Sequence, residues 1–95
     1  MLKLTPAQIE KMTSAQAISA KAHYTPQGEC RLHLKCIGTE GRSISLPWDY
    51  SLNTSKDQAF KWLEMAGMSP NEADYVIIAL RTHYTIVPMT EYYTL

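Results

Sequence analysis

The side chains of this sequence best suited to chemistry crowd into one stretch: Lys21, His23, Cys30, Arg31, His33, Lys35 and Cys36. Two histidines and two cysteines so close together raise two possibilities, a zinc site and a thiol nucleophile activated by an imidazole. Parity argues against both. Cys30, Leu32, Leu34 and Cys36 alternate with Arg31, His33 and Lys35, the two-residue period of a half-buried strand. On such a strand the thiols face the core and His33 faces away from it, so they cannot converge on a metal or form a dyad. His23 and His33 fall on one face as diagonal neighbours roughly 7–8 Å apart, which is two ligands where zinc needs three or four. His83 has neither an acid nor a nucleophile beside it in the sequence. There is no Gly-x-Ser-x-Gly and no His-Glu-x-x-His, and with three of the 4 glycines used by loops and a helix end nothing is left for a phosphate cradle. The expectation is a protein with no catalytic residue, no metal and no cofactor, one that is not an enzyme and works by binding.

The elements that must carry these residues are legible in outline. Thr5-Pro6-Ala7-Gln8 forms a capping box, with Thr5 as N-cap, Pro6 at the first helical position and Gln8 reaching back, so a short helix is expected within residues 1–14. The period then changes. Ile18, Ala20, Ala22 and Tyr24 alternate with polar neighbours, as do Ile44, Leu46 and Trp48 after Gly41, which with the Cys30–Cys36 run predicts three strands over residues 16–48. Alanine is a poor strand former, so residues 15–24 can also be read as helix.

Every inward residue is even-numbered, so facing pairs must sum to an even number. A three-residue loop Pro26-Gln27-Gly28 then pairs Ala22 with Leu32 and Ala20 with Leu34. The same rule with loop Thr39-Glu40-Gly41 pairs Cys36 with Ile44, Leu34 with Leu46 and Leu32 with Trp48. Downstream, Ser55 as cap opens a helix with apolar stripe Ala59, Trp62, Leu63 and Ala66, ended by Gly67. Ser69-Pro70-Asn71-Glu72 reads as a second capping box, opening a helix that buries Ala73, Val76, Ile77, Leu80 and Tyr84. Together these predict an α+β fold in one domain over residues 1–95: an N-terminal helix, a three-stranded antiparallel meander, a two-helix hairpin over 54–84 packed on one sheet face, and a tail over 85–95 able to add a short edge strand. The hairpin is also close in form to a DNA-reading helix-turn-helix, but Glu72 and Asp74 would stand where phosphates lie.

In these registers the outer sheet face carries three rows: His23, Arg31 and Asp49; Lys21, His33 and Pro47; Ser19, Lys35 and Ser45. Across residues 17–48 Lys21, Arg31, Lys35 and Arg42 stand against Glu29 and Glu40, a local balance of +2 in a chain whose 9 basic and 9 acidic residues cancel. A neutral chain excludes a strongly basic nucleic-acid tail or an acidic DNA mimic. A basic flat face suits an acidic protein patch or a phosphate backbone. Tyr50, Tyr75, Tyr92 and Tyr93 exceed what a small core requires, and exposed tyrosines favour protein contacts. The candidate partner-binding residues are therefore Lys21, His23, Arg31, His33, Lys35, Arg42 and Tyr50.

The order α-β-β-β-α resembles the double-stranded RNA-binding domain, and Ser55-Lys56 resembles the start of its phosphate-binding Ser-Lys-Lys. Asp57 replaces the second lysine, and the Gly-rich approach is absent. The stretch from His23 to Leu63, with Thr54 and Ala59-Phe60-Lys61-Trp62, is similar to the sheet-plus-helix domain of integrase arms, which lays its sheet in the DNA major groove. Each similarity covers under half of the chain.

At 45% hydrophobic and 19% charged, the sequence is that of a globular domain. Its longest apolar run, Tyr75 to Leu80, is far short of the roughly 20 residues of a membrane span, so no membrane partner is expected. Nor does the start of the sequence contain a signal-peptide core. Cys30 and Cys36, roughly 20 Å apart along a strand, cannot pair, and two unpaired thiols suit the cytoplasm. The functional expectation is a small cytosolic protein-binding modulator or inhibitor of a larger complex, of the kind encoded by phages and mobile elements against bacterial defence systems. The alternative is a nucleic-acid binder using the same basic face. A homodimer through the edge strand or the Tyr-rich tail is a further possibility.

Overall fold

The computed structural model describes residues 3–39 and 43–92. It is an α+β fold in which five antiparallel strands form one sheet, with helices on one of its faces. In chain order the elements are α1 (Pro6–Ser14), β1 (Ala17–Tyr24), β2 (Cys30–Ile37), β3 (Ser43–Pro47), α2 (Ser55–Met65), a 3₁₀ turn (Glu72–Asp74), β4 (Tyr75–Ala79), β5 (Tyr84–Pro88) and α3 (Met89–Tyr92). The strand order is β3-β2-β1-β5-β4.

Helix α1 starts as its capping box requires: Thr5 Oγ1 accepts from the Gln8 amide at 3.2 Å, and the Thr5 amide donates to Gln8 Oε1 at 2.9 Å. At its other end Thr13 Oγ1 donates to the Ile9 carbonyl and Ser14 Oγ to the Glu10 carbonyl. Such back-bonding weakens a helix, and the chain turns extended at Ala15.

Residues 17–24 are a strand, and β1 pairs with β2 in the expected register, Ala22 with Leu32 and Ala20 with Leu34. Ile18, Ala20, Leu32, Leu34, Cys36, Ile44 and Leu46 are all buried on the face that receives Met12 of α1 and Ala59, Trp62 and Leu63 of α2. Ala22 and Tyr24 share that parity but lie beyond the helical cover and are exposed.

The second register differs from the expectation by two residues. Leu34 pairs with Ile44 and Leu32 with Leu46, where Cys36–Ile44, Leu34–Leu46 and Leu32–Trp48 were expected. β2 itself continues to Ile37, still paired with Ala17, and the chain leaves the strand at Gly38 with φ +90°. A Cβ at Gly38 would stand 2.8 Å from Cγ of Gln16, so backbone and space both demand glycine here. Glu40 and Gly41 of the expected loop lie outside the described residues. A shift of two preserves parity, so the same side chains still face inward.

Thr54 caps α2 in place of Ser55, its Oγ1 accepting from the Asp57 amide at 3.1 Å. The stripe Ala59, Trp62, Leu63 and Ala66 is buried as expected, joined by Phe60. A Schellman motif ends the helix: the Gly67 amide donates to Glu64 O and the Met68 amide to Leu63 O, with Gly67 at φ +84°.

The expected helical hairpin does not form. Asn71 caps only the short 3₁₀ turn, and the chain then enters the β4–β5 hairpin, with Ile77 opposite Ile86 and Val76 opposite Val87. Val76, Ile77 and Ile78 are three consecutive β-branched residues, which lose rotamer freedom in a helix and fit a pleated sheet. The tail segment is not an edge strand either. β5 lies between β4 and β1, pairing Ile86 with Ile18, and leaves β4 and β3 as the sheet edges. The α-β-β-β-α order thus holds through Met65, after which two further strands join the same sheet. Packed over β1 and β2, α2 carries the chain from the β3 edge to the β4 edge.

Candidate binding face

The face of the sheet opposite the helices holds the odd-numbered residues of β1 and β2, so Lys21, His23, Arg31, His33 and Lys35 share it as expected. The register shift changes their neighbours on β3. His33 lies against Ser45, Arg31 against Pro47 and Lys35 against Ser43, so Asp49 leaves the basic row it was expected to join. Arg42 lies outside the described residues. Tyr50, 77% exposed, stands on the loop between β3 and α2 and not on the sheet.

The five residues are not equivalent. Arg31 is held in place: its Nε donates to Ser45 Oγ at 2.8 Å, one terminal nitrogen donates to the Ser45 carbonyl at 3.3 Å, and the other lies 3.7 Å from a Glu29 oxygen. Lys21 and Lys35 have no ion-pair or hydrogen-bond partner among the described residues. The His23 and His33 rings are 6.1 Å apart. Burial first, then the charges of Lys21, His23 and Lys35, hold the His33 pKa below its ordinary value.

Two residues missed in the sequence complete the site. The β4–β5 turn, closed by a Leu80 amide to His83 carbonyl bond of 2.9 Å, places Thr82 and His83 beside the basic strands. With Ser19, Lys21, His33 and Lys35 they line an open groove of about 340 Å³ that contains no carboxylate. The signal for His83 was present but hidden: it sits one residue before Tyr84, which pairs with Ala20, so the β1–β5 register continues it toward Lys21. Only a hairpin reading of residues 75–88 would have exposed this.

The same face has an apolar end. Ile37 pairs with Ala17 and Val76 with Val87, and extending the β1–β5 register by one residue joins both pairs in one row. The adjoining row, Ser43, Lys35, Ser19, Thr85 and Ile78, crosses all five strands. Ile37 and Ile78 are 40% and 43% exposed, and Leu80 is 50% exposed.

Asp49 is instead the anchor of the loop that presents Tyr50. Its carboxylate accepts from Ser51 Oγ at 2.6 Å and Ser51 N at 2.9 Å, and from Lys61 Nζ at 3.0 Å; these bonds, those to Ser51 foremost, hold its pKa down to about 2. A carboxyl whose folded pKa lies below its unfolded value contributes stability above about pH 4, and loses it as pH falls through about 2. Urea unfolding at pH 6 and pH 2.5 should therefore show a smaller acid loss of stability in Asp49→Asn than in the native protein. Equal losses would mean that the Asp49 bonds do not persist in solution.

Tyr75, counted among the spare tyrosines, is a core residue: it is buried, meets Phe60 edge-on at 5.3 Å, and donates its hydroxyl to the Ser69 carbonyl at 2.7 Å. Tyr93 lies outside the described residues. Cys30 and Cys36 are free and buried, and burial pushes the Cys36 thiol up despite the opposing charge of Lys11. Among the described residues no three His, Cys, Asp or Glu side chains gather as a metal site requires, and no helix is long and apolar enough to cross a membrane. Comparison with protein-family models, with curated proteins and with solved structures gives no match.

Proposed function

We propose that this protein is a non-enzymatic binding module that engages an acidic patch of another protein through the outer face of its sheet, and modulates that partner by occupying it. The observation that carries the reading is the presence of unpaired cations and exposed aliphatic side chains on one face: Lys35 lies two residues from Ile37 on β2 and shares its row with Ile78, and Lys21 stands in the next row. A phosphate backbone would satisfy the lysines and leave the isoleucines in water. A protein surface with a carboxylate rim and an apolar centre satisfies both.

The test is capture of partners from nuclease-treated and untreated lysate by the native protein and by Lys21→Glu/Lys35→Glu, whose exposed positions should leave the fold intact, as circular dichroism would check. A protein retained after nuclease treatment should bind the double variant about tenfold more weakly or worse, because like charges then oppose the acidic patch. Retention unaffected by charge reversal would remove this face from the interface. Retention of nucleic acid alone, with a steep loss in salt, would move the same face to phosphate binding.

A further inference from the structure

All three histidines of the chain, which are also its only side chains that ordinarily gain charge just below neutrality, belong to the same face. His33 pairs directly with Lys21, His23 lies diagonally beside it at a ring separation of 6.1 Å, and His83 faces it across the groove from the β4–β5 turn. Lys35 and the hydroxyls of Ser19 and Thr82 complete the lining. Thr82 Oγ1 and His83 Nδ1 are 3.4 Å apart, so one hydroxyl already stands next to one imidazole at the rim. The polar side chains here are cations, imidazoles and hydroxyls, all able to donate, and no lining residue is an acid.

We infer that this groove is an oxyanion site, made for a compact doubly charged group such as a phosphoryl or sulfuryl moiety, and that its grip tightens on acidification as the surrounding histidines gain protons. The inference rests on the reading of this face as a binding surface and assigns its polar end. Near pH 8 the groove offers two lysine charges and two hydroxyls. At pH 5.5 imidazolium charge adds to these, and an anion in the groove pulls protons onto the rings in return, because linkage is reciprocal.

Among the described residues the groups that face His33 are Lys21 and His23 from β1, Arg31 and Lys35 from its own strand, with Glu29 ion-paired to that Arg31, and His83 from the turn, while β3 presents the Ser45 hydroxyl. Burial first, then the charges of Lys21, His23 and Lys35, oppose protonation of His33. A bound dianion cancels that opposition, so His33 is the ring whose titration an anion should move furthest. The segregation of charge matters too: in a chain of zero net charge, a groove whose lining holds two lysines and no acid has a local field and not a whole-molecule one.

The experiment is a titration of the full chain with sodium sulfate, whose charge is constant over this range, against sodium chloride at matched ionic strength. The imidazole resonances are monitored by NMR at pH 5.5 and pH 8. Sulfate should shift the His33 and His83 rings saturably, with binding about tenfold tighter at the lower pH and the apparent pKa of His33 raised. His83→Gln should keep sulfate binding at pH 8 and lose part of the gain at pH 5.5, whereas Lys21→Ala should weaken binding at both. Shifts no larger than those in chloride, or equal affinity at the two pH values, would overturn the inference. The partner plays no part in this titration. Its failure would remove the oxyanion site while charge-reversal capture still judged the binding face, and the converse result would retain the groove without a protein partner.

Discussion

Replacing Gln58 by methionine should lower the free energy of unfolding by about 2–3 kcal/mol, with an unchanged denaturant slope. Gln58 is the one buried polar side chain among the described residues, wholly shielded on the first turns of α2. Its amide closes a two-point clamp on a single residue of the preceding loop: Oε1 accepts from the Asp49 amide at 2.8 Å, and Nε2 donates to the Asp49 carbonyl. Both backbone groups are part-buried, so neither can turn freely to water once the clamp is gone. An unsatisfied group of this kind costs about 1–3 kcal/mol. Methionine nearly matches the shape and so leaves no large cavity, and its greater apolarity offsets a fraction of the loss. The carboxylate bonds of Asp49 to Ser51 and Lys61 are separate and more exposed, so Asp49→Asn should cost less at neutral pH. A loss below about 0.5 kcal/mol in Gln58→Met would mean that the loop rearranges to satisfy itself.

Ile86→Ala should cost about 3 kcal/mol, within the range for truncating a fully buried aliphatic side chain. Ile86 is 1% exposed and sits between Ile18 of β1 and Ile77 of β4, so its removal opens a space that two strands border and neither can readily fill. The comparison that gives the result its meaning is Ile78→Ala on the outer face, where the side chain is already 43% exposed and the loss should stay below about 1 kcal/mol. If residues 85–88 were an optional strand on the fringe of a three-stranded meander, the two substitutions would cost alike. Thermal or urea unfolding of the pair decides it.

These two substitutions mark the boundary of what the chain's local chemistry reveals. Ile86 stands in a short apolar segment beside a proline, which read locally is a fringe. Its burial depends on β1 having an unpaired side, a fact about the whole sheet. Gln58 reads locally as a capping residue three positions after Ser55. Instead Thr54 is the cap, its Oγ1 accepting from the Asp57 amide, and the Gln58 side chain turns inward to Asp49 once α2 lies on the sheet.

The basic face was legible for a definite reason. Side-chain parity along Ala17–Tyr24 and Cys30–Ile37 assigns Lys21, His23, Arg31, His33 and Lys35 to one side whatever the loop lengths, since a shift by two leaves every side chain on its face. The same argument predicted the buried alternation, and the short-range bonds of the Thr5 capping box and the Gly67 helix end are equally local. What parity cannot supply is which residues meet across strands, and so Asp49 was placed in a row that Pro47 occupies.

Elements whose stabilisation is local or periodic can be read directly from the residues: the first helix and its cap, the alternation of the first three strands, the buried stripe of α2, and the side of the sheet on which the cations stand. The tertiary structure alone decided the rest. Residues 75–80 have no period that separates helix from strand, because a continuous apolar run has none, and the β-branched Val76, Ile77 and Ile78 only tilt the balance toward a sheet. The choice fell to the open side of β1, whose unpaired backbone groups and small inner side chains accept β5 and, through it, β4. That pairing is what brings Thr82 and His83 to Lys21 and His33, residues 49 to 62 positions apart in the chain, and turns a row of basic side chains into a groove.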